Sequence, residues 1–470
     1  MSAHAKPTRS RREFLTDAFC GFGSVAFAAM LAEEQARAAY LNPLAAKPPQ
    51  FAAKAKSVIV LFMAGGPSHL ETFDPKPLLN KLDGQPVPKE FGTAKRQFIK
   101  GPPHLMGTKR TFKQHGRSGL WVSDLLPHTA TCADDLAVIR SCKSDAFVHS
   151  SAQYQFFTGR IIPGFPSMGA WALYGLGSES ESLPGYVVMP DPRGSIEAGQ
   201  PVYSNGFLPS IYQANVFRPG KKPVLNLDMP AGVSVEQRQR TLRLVHDLDS
   251  ARMSPDDDEF AARLNTYDLA FKMQTEAPAV FDISRESQAT QEAYGVGHPV
   301  TDDFGRRCLL ARRLVEKGVR FVVLVAGGPD VSQWDAHDDI EENHLRMAMK
   351  TDKPIAGLLK DLKQRGLLDS TLVVWGGEFG RTPEAQGKGR DHNNTGYTMW
   401  MAGGGVKGGV VAGATDEIGL NAVTEPHHLR DIHTTVLHQL GLEQNALSYL
   451  HQGRRERLTE VQGQVIQSIL

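Results

Sequence analysis

Four short segments of the sequence carry carboxylates and imidazoles at spacings that suit a metal or an acid–base pair. "GGPSHLETFDPKP" offers Ser68, His69, Glu71 and Asp74, and "GGPDVSQWDAHDD" offers Asp335 and His337. "GGEFGRTP" adds Glu378 and Arg381, and "GRDHNNTGY" adds Asp391 and His392. Mixed carboxylate and imidazole donors suit zinc, manganese or iron, and carboxylates also serve calcium. An ion of that kind polarises a phosphoryl or sulfuryl oxygen and lowers the pKa of bound water. On residue type, the acidic and histidine side chains of these four segments, Asp335, His337, Glu378, His392, His69 and Asp74 among them, are candidate ligands of a divalent metal. Arg381 has a separate use, because its planar guanidinium matches two oxygens of a phosphate or sulfate. A fifth segment, "VHSSAQYQFFTGR", opens a helix at His149 with Ser150 and Ser151 next. Free N–H groups and the dipole at a helix N-terminus favour an attacking anion or a bound oxyanion. His149 in that place suits proton transfer or metal ligation.

Each of these segments adjoins a run that reads as a strand. "SVIVLFM" precedes the first, "DLAVIRSC" leads to the helix at His149, "RFVVLVA" precedes Asp335, and "TLVVW" precedes Glu378. "YTMWMAGG" follows His392 as a last strand. Between them lie amphipathic helices. "TDDFGRRCLLARRLVEKGV" has Thr301 or Asp302 as an N-cap and Gly318 as a stop, and "IAGLLKDLKQRGLLDS" is a second. A closing helix is expected near Glu425 or Pro426. Strand–helix–strand order predicts an α/β fold, a mostly parallel sheet sandwiched by helices with right-handed crossovers. Ligands of such sheets bind beyond the carboxyl ends of the strands. About 183–299 the pattern changes to Pro- and Gly-rich turns and then a polar helical stretch, which reads as a cap or insertion on a single domain from 39 to 470.

Composition narrows the possibilities. A chain of 470 residues, 41% hydrophobic and 22% charged, can bury a large core. A net charge of +1 gives no electrostatic case for nucleic acid or anionic membranes. Cysteines number 4, one of them Cys20 near the N-terminus. The rest show no metal spacing, and Cys132 and Cys142 are open to pairing or to burial as thiols. No dinucleotide fingerprint, haem motif or iron–sulfur set supports redox chemistry.

The N-terminus reads as an export signal. "SRREFL" from Ser10 to Leu15 sets two arginines before an apolar run from Ala18 to Ala32, and "ARA" at Ala36–Ala38 suits cleavage. Residues 1–38 are therefore expected to be a twin-arginine signal, with the translocase as a partner and a periplasmic or secreted product. The run is too short and polar for a membrane span.

Several of these motifs together resemble a known family. "STLVVWGGEFG" lies beside the sulfatase strand that ends in Ser-Asp-Asn-Gly, "DHNNTGYTMWMAGGGVKGG" looks like the His-bearing segment of alkaline phosphatase superfamily hydrolases, and "FFTGR" looks like the end of the sulfatase nucleophile helix. With the export signal and "GGPSHLETFDPKP", the chain resembles the domain of unknown function 1501 family, placed near the sulfatases. The resemblance implies a sulfatase-like fold and an exported, metal-dependent hydrolase of sulfate or phosphate esters, acting on a small-molecule or glycan ester. It also exposes departures. The nucleophile position falls on His149, the metal-binding Asp pair is replaced by Gly65 and Gly66, and Phe379 stands where Asn or His would coordinate. The alternative is a non-catalytic binding protein on a degenerate hydrolase fold. In the hydrolase, an activated water or Ser150 attacks, His149 moves the proton, and Arg381 holds the anion.

Overall fold

The computed structural model describes residues 42–92, 102–220, 222–225, 227–250, 258–328, 333–459 and 461–470. The expected export signal lies outside these residues. In chain order the strands that matter are β1 (Ser57–Met63), β2 (Leu136–Lys143), β3 (Tyr186–Met189), β4 (Asn215–Val216), β5 (Phe321–Ala326) and β6 (Thr371–Gly376). A hairpin, β7 (Gly380–Gln386) and β8 (Gly389–Asn393), precedes β9 (Tyr397–Ala402), β10 (Val410–Ala412) and β11 (His427–His428). Among the described residues nine strands form one sheet in the order β10-β2-β9-β6-β1-β5-β3-β4, with β11 also pairing β2. Only β9 runs against the others; β1 is parallel to both β5 and β6 at the centre. This is the mostly parallel sheet that the strand–helix alternation predicts.

β-branched, uninterrupted runs such as "SVIVLFM" mark strands buried on both faces. In β1 every side chain is buried, and alternate residues go to opposite cores. Ile59, Leu61 and Met63 face Phe304, Leu309 and Leu314 of α5 (Asp302–Glu316), and Met347, Ile355 and Leu359 of α6 (Ile340–Gln364). Val58, Val60 and Phe62 face the other layer. That layer is built from Phe156 and Phe157 of α1 (His149–Thr158), Trp171 of α2 (Met168–Leu176), and Ile432 and Val436 of α7 (Leu429–Gln439). Each fully buried Val, Leu or Phe contributes roughly 1.5–3 kcal/mol, so two such layers fix the strand order firmly.

Three local readings are revised. α6 begins at Ile340, where Asp339 accepts the Glu342 N–H, and continues through Pro354 rather than starting after it. A proline costs a helix one hydrogen bond, and the buried face of this helix outweighs that loss. α7 starts at Leu429, with His428 and Asp431 forming a reciprocal cap, a few residues beyond the expected start. The stretch about 183–299 begins within the sheet, because it supplies β3 and β4 before its helices α3 (Val235–Ser250) and α4 (Asp258–Phe281). Cys132, Cys142 and Cys308 are all buried free thiols. Among the described residues no helix is long and apolar enough to cross a membrane.

Candidate metal centre

The carboxyl ends of β1, β2, β5 and β6 meet at one edge of the sheet, and the antiparallel β9 starts there. α1 opens after β2, with Val148 in extended geometry at its N-cap and His149 as its first residue. The loop after β5 carries Asp335 and His337. It is tied to β1 by the Trp334 N–H on Ala64 O at 2.8 Å and to α6 by Asn343 Nδ2 on Asp335 O at 3.2 Å. The β7–β8 hairpin pairs Arg381 opposite His392 and so delivers both to the edge.

Four side chains from three distant segments converge there. His149, Asp335, His337 and His392 each present a donor atom, all within 4.8 Å of one another. Nε2 of His337 lies 3.0 Å from Asp335 Oδ1, and Nε2 of His149 and of His392 each lie 3.5 Å from it. The Nε2 atoms of His337 and His392 are only 3.0 Å apart. Asp335 and His337 are 20% and 18% exposed, which opens the cluster on their side, while His392 is 1% exposed and closes it below.

The other nitrogen of each ring is already spent. Nδ1 of His149 donates to Glu378 Oε1 at 2.8 Å, Nδ1 of His392 to Phe147 O at 2.7 Å, and Nδ1 of His337 to Gln386 Oε1 at 2.5 Å. A ring that donates from Nδ1 and is neutral turns a lone pair out at Nε2. Lone pairs facing each other at 3.0 Å repel unless a cation stands between them. The buried Nε2 of His149 and Oδ1 of Asp335 meet no partner in hydrogen-bonding geometry, although Oδ1 is 2.6 Å from Arg381 Nη2. Imidazoles held from behind by oxygen, with orphaned donors converging in front, are the arrangement of a metal site with its supporting layer. The residues fit a divalent ion.

Electrostatics agree. Burial lowers His392 to about 4, with the charges of Arg381 and His149 adding to the fall, so the ring is neutral and ready to coordinate. Burial works against the Asp335 carboxylate, and Arg381 and the three imidazoles overcome it, leaving the group ionised far below the usual range. Burial also opposes charge on His149, but the carboxylates of Asp335 and Glu378 on either side of the ring raise it to about 9. Without an ion this imidazole carries the proton between two carboxylates. Proton and metal compete for the same nitrogen.

Glu378, expected among the ligands, sits one layer back. It is fully buried, and its Oε1 accepts from His149 Nδ1, from Gln153 Nε2 at 3.2 Å and from the Gly65 N–H at 3.1 Å. Burial would raise its carboxyl, and His149 holds it below the ordinary value. Arg381, expected to hold a substrate anion, is fully buried, with its nitrogens on Gly66 O, Arg390 O, Gly65 O and Asp335. Its fork is occupied by the protein itself. His69 and Asp74 lie elsewhere: His69 Nε2 bonds Gly419 O at 2.8 Å, and Asp74 takes Thr415 Oγ1 at 2.5 Å and Lys76 Nζ at 3.1 Å. Ser150 is half-buried and takes no part in these hydrogen bonds.

The Gly65–Gly66 pair has a steric cause. Both take positive φ, +99° and +74°. A Cβ on Gly65 would lie 2.4 Å from Asp335 N, and one on Gly66 would lie 2.7 Å from the Phe379 ring. The backbone therefore passes where a side chain cannot, and serves Glu378 and Arg381 through its own N–H and C=O. Phe379 in turn stacks on His392 at 4.4 Å and packs on His149 at 4.9 Å, so an apolar ring floors the cluster. Gln153 and Gln386 escape a reading of residue types, because amides in these segments signal nothing until their neighbours are known.

Solved structures of similar fold include the lipoteichoic acid synthase LtaP from Listeria monocytogenes (10% identity, 90% of this chain and 79% of that chain, TM-score 0.37). The PsFucS1 sulfatase from Pseudoalteromonas sp. is similar at 13% identity, over 87% of this chain and 72% of that one, with a TM-score of 0.34. The alkaline phosphatase of the Antarctic bacterium TAB5 follows at 12% identity, 75% and 92% coverage, and a TM-score of 0.28. No curated protein matches the sequence. The family model described as "Protein of unknown function (DUF1501)" matches residues 55–470, nearly everything that builds the sheet and its edge, and the chain therefore belongs to that family.

Proposed function

We propose that this protein is a metal-dependent hydrolase of sulfate or phosphate esters, with His149, Asp335, His337 and His392 holding one divalent ion. The observation that carries the reading is the convergence of three Nε2 atoms on Asp335 Oδ1 while every Nδ1 is engaged from behind. Three imidazoles and one carboxylate suit zinc, iron or manganese better than calcium, which prefers an all-oxygen shell. A bound ion would polarise an ester oxygen and lower the pKa of water. In this reading His149 is a ligand, and the proton it carries without metal leaves when an ion enters. Glu378 and Gln386 fix ring orientation, and Arg381 holds Asp335 in place and balances its charge. Ser150, in the first turn of α1 where backbone N–H groups are free, remains the chain's own hydroxyl for attack. Export by the twin-arginine route to the periplasm or beyond belongs to the proposal and rests on the Ser10–Leu15 motif.

One observation favours the second reading, a metal-holding binding protein without turnover. Among the described residues there is a single such cluster, and Gly65 and Gly66 leave no room for a further carboxylate pair. Elemental analysis of the purified protein, followed by aryl sulfate and aryl phosphate assays, separates the two. We expect about one equivalent of zinc, iron or manganese, lost in an Asp335→Ala/His392→Ala variant, together with turnover. Metal without turnover leaves the binding protein. No metal, even after reconstitution, removes both.

A further inference from the structure

A small polar pocket lies between α1 and α7, and the metal centre makes no use of it. It measures about 130 Å³, and its lining includes Asp145, Gln155, Gly159, His428, Arg430 and His433. Gly159 closes α1 about 15 Å along the helix axis from His149, so the floor of the pocket is remote from the cluster. At that floor His433 is 1% exposed. Its Nε2 donates to Phe156 O at 2.8 Å, which leaves a lone pair on Nδ1, and Nδ1 has no partner among the described residues. Burial holds this ring down at about 4, so Nδ1 remains an acceptor at neutral pH. A Cβ on Gly159 would stand 3.7 Å from that nitrogen, and the missing side chain leaves space beside it. At the rim, Asp145 Oδ1 lies 3.1 Å from His428 Nε2, and Oδ2 accepts Gln155 Nε2 at 2.6 Å. A carboxylate has about four acceptor positions, and the Asp145 side chain is 56% exposed, so it can take further donors. Arg430 gives its backbone N–H and its Nε to His428 Nδ1 at 3.1 and 2.9 Å, and its Nη2 stands 3.6 Å from Asp145 Oδ2. Its Nη1 makes no hydrogen bond among the described residues.

We infer that this pocket binds a small amino acid as its zwitterion, with the ammonium on His433 Nδ1 and Asp145 and the carboxylate on Arg430. A buried acceptor without a partner calls for a donor, and an N–H of the ammonium supplies it. An anion that carries no proton, such as sulfate, would bring only oxygen lone pairs to Nδ1. The rim holds one guanidinium and one carboxylate, while His428 and His433 are neutral, their burial having lowered both. Such a pocket is matched by a ligand that carries both signs better than by a simple anion or cation. Volume sets the size: a cavity of about 150 Å³ takes the six carbons of benzene, so glycine or alanine fits here.

The test is titration calorimetry of the full-length protein with glycine and alanine, beside acetate, methylammonium and sulfate. Glycine or alanine should bind with one equivalent, and the three single-charge or proton-free probes at least about tenfold more weakly, because each lacks one charged hydrogen bond. Arg430→Gln and Asp145→Asn should each weaken the amino acid by about 10- to 100-fold. Both side chains reach solvent, so the variants should keep the melting temperature and metal content of the wild type. Sulfate or acetate binding as tightly as alanine would overturn the assignment of an ammonium partner to His433. Affinity unchanged in both variants, or no heat from any of the five probes, would overturn the site itself. None of these outcomes bears on the metal centre, which is assayed separately.

Discussion

Three imidazoles in this protein do the same thing in the same way: each gives one nitrogen to an oxygen acceptor and aims the other at Asp335. Only the acceptor differs, a carboxylate for His149, a main-chain carbonyl for His392 and an amide for His337. Groups that orient a ligand without touching the ion change affinity by about 10–100-fold when removed. Glu378→Gln should therefore retain the metal but give it up to a chelator at about 10- to 100-fold lower concentration. Loss of metal as complete as in Asp335→Ala would mean that Glu378 is itself a ligand. The proton on His149 makes a second expectation at this scale. Its pKa of about 9 in the folded chain lies above the ordinary 6.5, so its contribution to stability is full below pH 6.5 and disappears as pH rises through 9. Thermal melts of metal-free protein should show that decline, on the order of 3 kcal/mol, between those limits. Metal-loaded protein, with no proton on that nitrogen, should lack it.

At the scale of elements, the centre depends on how tightly the strand-end loops pass one another. β1 ends in two glycines because the loop from β5 crosses directly over the first and Phe379 lies against the second. Gly65→Ala places a methyl 2.4 Å from the Asp335 amide at a φ that L residues rarely adopt. The combined strain and overpacking should cost roughly 2–5 kcal/mol in denaturant unfolding. It should also displace Asp335 and weaken metal binding. A Gly65→Ala variant as stable as wild type, with its metal in place, would show that the loop yields easily and that close packing does not set the site.

For the molecule as a whole, the four donors come from α1, from the β5 loop and from the β7–β8 hairpin, elements spread across the sheet and running in sequence from His149 to His392. An ion bound only by the folded arrangement stabilises it by mass action, by about 2.7 kcal/mol at 100 times Kd. The Tm of the protein should rise with added zinc or manganese, and Asp335→Ala should melt at one temperature with or without the ion. A wild-type Tm indifferent to metal would count against a site shared by these elements. The two cores, one on each face of the sheet, set the floor from which that increment is measured.

The strands were legible in the sequence because buried parallel strands need long β-branched runs, and turns or helix caps need Gly, Pro, Asp or Ser at their ends. The family was legible in the same stretches, and so was the rule that polar residues after the strands share an edge. Asp335 and His337 follow from that rule, whereas His392 lies in the β7–β8 hairpin and reaches the edge because the strand after it runs antiparallel. Which other groups joined them was decided only by tertiary packing. The direction of a loop side chain depends on contacts made hundreds of residues away, such as Gly65 on Asp335, Gln153 on Glu378 and Phe379 on His149. Those contacts turned His149 into the cluster, set Glu378 behind it, enclosed Arg381 and sent His69 and Asp74 to Gly419 and Thr415. Residue type determines what a side chain is able to bind, and the packed fold determines whether its neighbours leave it free to do so.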